Sequence, residues 1–297
     1  MRMDFPVFTT ENECQDCYKC VRHCHCKAIR IVNAKASVIP GACVACGECV
    51  KVCPAHAKKI RSDISRLRML LDSGARLYAS VAPSYVGYFK NANIRQIASA
   101  LKKIGFAGVG ETALGAEAVS AQACAYLKSH PEQKLVISSA CPACVDFIRK
   151  YMPRFSANII PIHSPILAHC RIMRDLYGDD IKTVFFGPCA AKKNEADRNP
   201  DLLNLAITFA NLEQLLQNME ISIDSSEADI VPRDAEEGRF YSIEGGMNDT
   251  LRDGNRNVRL VAVSGLDNLS RLLSSWDGRT GGGTIFLEAL ARHGGCV

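Results

Sequence analysis

From residue 77 onward, short apolar runs bounded by turn residues alternate with stretches whose apolar positions recur three and four apart. The runs Leu77 to Ala82, Leu135 to Ile137, Thr183 to Phe186 and Val258 to Val263 are β-rich and too short for helices. The stretches Ile94 to Ile104, Val145 to Tyr151, Ile166 to Tyr177 and Leu266 to Trp276 carry the period of one helix face. Strand followed by helix, repeated, predicts parallel sheets flanked by helices. Ahead of these, Ile64, Leu67, Leu70 and Leu71 recur at helical spacing within Ile60 to Leu71, which predicts a helical linker. Ile285 to Ala291 reads as a helical pattern, and the acidic, aperiodic stretch from Ser222 to Gly238 reads as a surface excursion. The expected division is a domain at 1–60, a linker at 61–75 and an α/β domain at 76–297.

The chain has fifteen cysteines, nine of them between Cys14 and Cys53, in the runs C-Q-D-C-Y-K-C-V-R-H-C and C-V-A-C-G-E-C-V-K-V-C-P. Three cysteines at two-residue intervals let one tight loop present three thiolates to three corners of a cubane. The fourth, after three further residues, lies too far round to close the same cubane and ligates the other one. By this crossing rule Cys14, Cys17, Cys20 and Cys53 hold one [4Fe–4S] cluster, and Cys43, Cys46, Cys49 and Cys24 hold a second. Zinc ribbons use two C-x-x-C pairs rather than two runs of four, and a disulfide framework calls for a short secreted chain. Cys26 sits outside both runs and reads as a buried thiol.

With 297 residues and 47% hydrophobic composition, the chain is long enough for about two domains with a substantial core. The net charge of +5 is modest and its Lys and Arg are scattered, which argues against a nucleic-acid surface. No apolar run approaches the ~20 residues of a membrane span. The chain opens with no signal peptide, so a cytoplasmic, reducing, anaerobic setting is expected for its cubanes and thiols.

The later cysteines fall where an open α/β sheet places its ligands, just past the carboxyl ends of strands. Cys141 follows L-V-I-S-S-A, Cys189 follows T-V-F-F-G-P, and Cys296 follows Gly294 and Gly295, a loop able to bring a third thiolate to the same crevice. Cys124 and Cys170 lie in helical stretches and read as core residues. The glycines from Gly281 to Gly283 belong to no phosphate-binding fingerprint, which weighs against an unrelated nucleotide-binding domain fused to the cluster domain.

The segments S-S-A-C-P-A-C-V (138–145), G-P-C-A-A-K-K-N-E (187–195) and F-L-E-A-L-A-R-H-G-G-C-V (286–297) resemble, in order, the three signature motifs of the [FeFe]-hydrogenase family. In that family they read T-S-C-C-P-x-W, M-P-C-x-x-K-x-x-E and E-x-M-x-C-x-x-G-C. With the cluster domain ahead of them, the resemblance spans essentially the whole chain. It implies a ferredoxin-like two-cluster domain followed by a two-lobed α/β catalytic-type domain. It also implies an H-cluster, a cubane joined through a cysteine sulfur to a two-iron centre carrying CO, cyanide and a dithiolate. Cys141 and Cys189 would be cubane ligands and Cys296 the bridging cysteine. Lys192, within the motif that ends at Glu195, would hydrogen-bond one cyanide. V-A-P-S-Y would bring Pro83 and Ser84 to the other, since an anionic acceptor calls for charge-assisted donors. The implied activity is interconversion of H2 with two protons and two electrons, exchanged with a ferredoxin-like partner.

Departures from the motifs point toward a sensory-type branch with low turnover. Ala140 stands where the family has its proton-passing cysteine, and the helix after Gly115 lacks the glutamates of the family's proton path. Gly187 and Leu290 replace two methionines that pack round the two-iron centre. Arg292 stands at the fourth cubane cysteine, and arginine cannot replace a thiolate, so His293 or an exogenous ligand would have to complete the cluster. The family continues with a glycine-rich segment where this sequence stops at Val297, which suggests truncation. The alternative function is a non-catalytic iron–sulfur protein on the same scaffold, transferring electrons or sensing redox state or H2.

Overall fold

The computed structural model describes residues 5–251, 257–279 and 282–296; Gly281 and Val297, both singled out above, lie outside the described residues. The N-terminal segment holds β1 (Val7–Thr9), α1 (Lys19–Arg22), β2 (Ile29–Val32), β3 (Lys35–Val38), α2 (Glu48–Lys51) and β4 (Lys58–Ile60). β2 and β3 form an antiparallel hairpin with Ile29 opposite Val38, while β1 and β4 close the segment as an antiparallel pair with Val7 opposite Ile60. Ile60 therefore ends a strand, and the predicted linker helix starts later, as α3 (Ile64–Asp72). It is not a free linker, because Leu67 is fully buried in the core that covers the next sheet.

The chain continues with β5 (Leu77–Val81), α4 (Tyr85–Tyr88), α5 (Ile94–Ile104), β6 (Gly108–Glu111), α6 (Thr112–Ser129), β7 (Leu135–Ile137), α7 (Pro142–Tyr151), α8 (Pro165–Tyr177), β8 (Lys182–Gly187), α9 (Ala191–Arg198), β9 (Leu205–Thr208) and α10 (Phe209–Asn218). It closes with α11 (Gly246–Leu251), β10 (Val258–Ser264), α12 (Leu266–Ser274) and β11 (Thr284–Leu290). The strands sort into two parallel sheets, one of order β6-β5-β8-β9 and one of order β10-β11-β7. β5 lies between β6 and β8 and all five of its residues are buried, as expected of a parallel strand covered on both faces.

Local sequence accounts for the helix ends. Asn93 caps α5 in a reciprocal box with Gln96, and Ile94, Ile97, Leu101 and Ile104 turn one face inward. Gly115 lets α6 cross closely over α8: a Cβ there would stand 1.9 Å from the Pro165 carbonyl oxygen.

One expectation about secondary structure is corrected. Ile285 to Ala291 is not helical; it is β11, the central strand of its sheet, with Phe286, Leu287, Ala289 and Leu290 buried. A strand buried on both faces is apolar at nearly every position, so its periodicity cannot be told from that of a buried helix. The acidic stretch from Ser222 runs irregularly over the surface as expected. It is tied down there: Val231 N–H donates to Val109 O of β6, Ile230 and Ala235 are buried, and Arg95 pairs with Asp229 and Asp234.

Candidate metal centre

The two N-terminal cysteine loops repeat one backbone design. Asp16 and Tyr18 in the first loop, and Ala45 and Gly47 in the second, have positive φ at matching positions, followed by Lys27 and His56 past the fourth cysteines. Alternating left-handed residues turn successive amide N–H groups toward a common centre, a concavity suited to an anionic cluster. N–H groups also point at sulfur: Ala28 N lies 3.2 Å from Cys24 Sγ and Ala45 N 3.3 Å from Cys43 Sγ.

The loops exchange their fourth cysteines in space. Cys14 and Cys53 bear electrostatically on Cys20, while Cys24 joins Cys43, Cys46 and Cys49. Burial pushes the thiols of Cys46 and Cys49 up to about 12, so iron binding there must displace protons. Cys17 is exposed, whereas the second set lines a small apolar cavity with Val7, Ala28 and Val44. Cys26 lines the same cavity, its thiol raised by burial.

The later cysteines follow three different strand ends. Cys141 precedes α7 past β7, Cys189 precedes α9 past β8, and Cys296 lies beyond β11. The two sheets bring them together in one cavity of about 180 Å³, which they line with Arg292 and with Cys46 of the N-terminal segment. Cys46 thus belongs to the walls of both cavities, so the second cluster loop forms one side of the crevice. Among the described residues no three His, Cys, Asp or Glu side chains converge on a single metal ion. A cubane asks for a wider set, with its cysteines at separate corners.

The thiols of the crevice differ. The Cys144 thiol, hydrogen-bonded to Cys141, and the amides at the start of α7 draw Cys141 down to about 6 despite burial. Burial raises Cys189, and it pushes Cys296 up to about 12 against the charges of Lys192 and Arg292. Lys192 bears on all three cysteines. Its ammonium lies 2.7 Å from Glu195 Oε2, 3.2 Å from Ser164 Oγ and 3.5 Å from Ala140 O. Glu195 also lines an open groove of about 800 Å³ between α7 and α8.

Pro83 and Ser84 stand at the end of β5 and do not line the three-cysteine crevice. The Ser84 hydroxyl is buried with no hydrogen-bond partner, an unspent donor on the strand loop where the resemblance asks for one. His293 is turned away: it is exposed and its Nε2 lies 3.2 Å from Asp267 Oδ1. At Gly187 a Cβ would stand 2.3 Å from the Phe185 ring, which fills the space beside that position.

Sequence reasoning passed over two groups. Cys144 lies fully buried against Cys141, although its C-P-A-C spacing was a visible signal. His169, on α8, is buried with Nδ1 2.8 Å from Ser80 Oγ, and burial holds it neutral, near a pKa of about 3; no motif marks it.

Residues 75–297 match the family model described as iron only hydrogenase large subunit, C-terminal domain, and residues 36–59 match that of the 4Fe-4S binding domain. Among solved structures, two variants of the [FeFe]-hydrogenase HydA1 from Chlamydomonas reinhardtii are similar, with TM-scores of 0.61 and 0.62, each 17% identical over 80% of this chain and 83% of theirs. The structure of HydA(deltaEFG), which reveals stepwise H-cluster assembly, is similar with a TM-score of 0.61 and 16% identity over the same shares. These likenesses show a shared fold.

Proposed function

Because the chain belongs to the iron-only hydrogenase large-subunit family, we propose that the crevice of Cys141, Cys189 and Cys296 holds the cubane of an H-cluster and that the two N-terminal cubanes feed it electrons. The chain is a [FeFe]-hydrogenase-like iron–sulfur oxidoreductase. When bound, the H-cluster supplies the metal chemistry that interconverts H2 with protons and electrons. Cys14, Cys17, Cys20 and Cys53 would hold one cubane, on the side of the exposed Cys17 where a ferredoxin-like partner would deliver electrons, and Cys24, Cys43, Cys46 and Cys49 would hold the other, on the crevice side. The observation that carries this reading is that Cys46 lines the same crevice as Cys141, Cys189 and Cys296.

In this reading the residues have distinct tasks. Cys141, Cys189 and Cys296 would hold the cubane through their thiolates, Cys296 being the one that the family resemblance assigns to joining it to the two-iron centre. Lys192, held by Glu195, presents its ammonium to an anionic ligand, as a charge-assisted donor would. Ser84 offers its hydroxyl and Pro83 shapes the loop that carries it.

A low-turnover or sensory role is favoured by Ala140, which directly precedes Cys141 and whose methyl group can pass no proton. Among the described residues no helix is long and apolar enough to cross a membrane, and a cytoplasmic setting completes the proposal. The test is iron content after anaerobic reconstitution. Cys189→Ala should cost about four of about 12 irons and spare the two N-terminal cubanes. Unchanged iron in that variant overturns the assignment.

A further inference from the structure

Behind the crevice wall, next to Cys141, lies a further buried cysteine, Cys144. Cys141 is the N-cap residue of α7 and Cys144 stands three residues on, within the first turn, where side chains share one face of the helix. Cys144 is fully buried and its thiol is hydrogen-bonded to that of Cys141. The ionisable groups that bear on it are Cys141, Cys296 and Cys46, all of which line the crevice. Cys144 belongs to the same apolar core as Cys141, Ala190 and Leu290, against which Cys189 and Cys46 pack.

We propose that Cys144 supplies the fourth thiolate of the catalytic-domain cubane, in place of Arg292. This rests on the reading of the crevice given above. The spacing from Cys141 to Cys144 is that of C-Q-D-C and C-V-A-C in the N-terminal loops, where two thiolates two residues apart serve one cluster. Four thiolates complete a [4Fe–4S] cluster, and Cys141, Cys144, Cys189 and Cys296 provide them without an exogenous ligand. The alternative donor His293 is exposed and engaged by Asp267. Arg292 stays in the cavity wall as a cation, beside a cluster whose thiolates carry negative charge.

The test uses the full chain, reconstituted anaerobically with iron and sulfide, with iron and acid-labile sulfide counted and the reduced clusters followed by electron paramagnetic resonance. The unaltered protein should bind about 12 irons, as three cubanes require. Cys144→Ala should lose between one and four of these and alter or abolish the signal of one cluster, leaving the other two unchanged. The double variant Cys144→Ala with Arg292→Cys should regain the third cubane, which separates loss of a ligand from failure to fold. Retention of all iron and an unchanged spectrum in Cys144→Ala, with loss in Cys189→Ala, overturns the role of Cys144 while the crevice assignment stands. So does an unaltered protein that binds about 8 irons and gains four only on Arg292→Cys. If every variant including Arg292→Cys binds about 8, the crevice assignment itself fails.

Discussion

Lys192 Nζ lies 2.7 Å from Glu195 Oε2, one turn further along α9, and both side chains are largely withdrawn from solvent. The pair fixes the ammonium beside the Ala140 carbonyl and the Ser164 hydroxyl. Lys192→Met should leave the cubanes intact and reduce incorporation of the two-iron centre by about tenfold or more, given the roughly 1.5–3 kcal/mol of a hydrogen bond to a charged group. Glu195→Gln should retain the centre but shift its cyanide stretches, because the ammonium loses its anchor. Infrared spectra of iron-bound CO and cyanide, taken after anaerobic maturation, read both outcomes.

Ala140 O is 3.5 Å from the Lys192 ammonium, and the residue directly precedes Cys141 of the crevice. Ala140→Cys introduces an ionisable group there. In protein shown by infrared to hold the full cofactor, H2 evolution should rise by on the order of 10²-fold, the usual contribution of a positioned proton donor. No gain would count against a proton route past residue 140.

Lys193, unlike its neighbour Lys192, is fully buried, with Nζ 2.9 Å from Asp63 Oδ2 and 2.7 Å from Ala206 O. Asp63 also pairs with Arg61, which forks onto Asp197 at 2.8 and 3.0 Å. The network ties the end of the N-terminal segment to α9 and β9. Lys193→Met should destabilise the protein by about 3 kcal/mol, the cost of breaking a buried pair, as seen in the urea midpoint. Adding Asp63→Asn should recover part of that loss.

Asp63 also predicts acid sensitivity. Burial would raise its carboxyl, but Lys193 and Arg61 hold it below the usual carboxylate range. The folded state therefore binds fewer protons than the unfolded chain as pH falls through that range. The stability Asp63 contributes is fully present above it and is lost toward the lower folded value. Asp63→Asn should flatten the acid limb of a stability profile measured from pH 5 to pH 2.

Glu288 has the opposite sign. It is buried on β11 with Oε2 accepting from Asn248 N–H at 3.0 Å and Oε1 without a partner, and burial raises its carboxyl to about 7. An unfolded glutamate releases its proton near ~4.3. Between that value and about 7 the folded state binds more protons, so stability falls as pH rises through the window and then levels off. Glu288→Gln should remove this slope in urea midpoints recorded from pH 4 to pH 8.

The sequence by itself determined what is local. Cysteine spacing specified two cluster loops, because a tight loop and its ligands lie within a dozen residues, and the matching left-handed positions at Asp16, Tyr18, Ala45 and Gly47 are the backbone counterpart of that spacing. The alternation of strand and helix likewise followed from short apolar runs set between stretches of helical period. Periodicity failed at Ile285 to Leu290, where burial on both faces erased it. Only the tertiary structure decided that three strand ends from two sheets open on one crevice, that Cys46 forms its wall and that Cys144 lies buried against Cys141. Only it decided, too, that His293 turns out to Asp267 and that Lys193 reaches back to Asp63 across the chain. These relationships join residues far apart in sequence, and they come from the packing of sheets and helices, which no short-range pattern along the chain encodes.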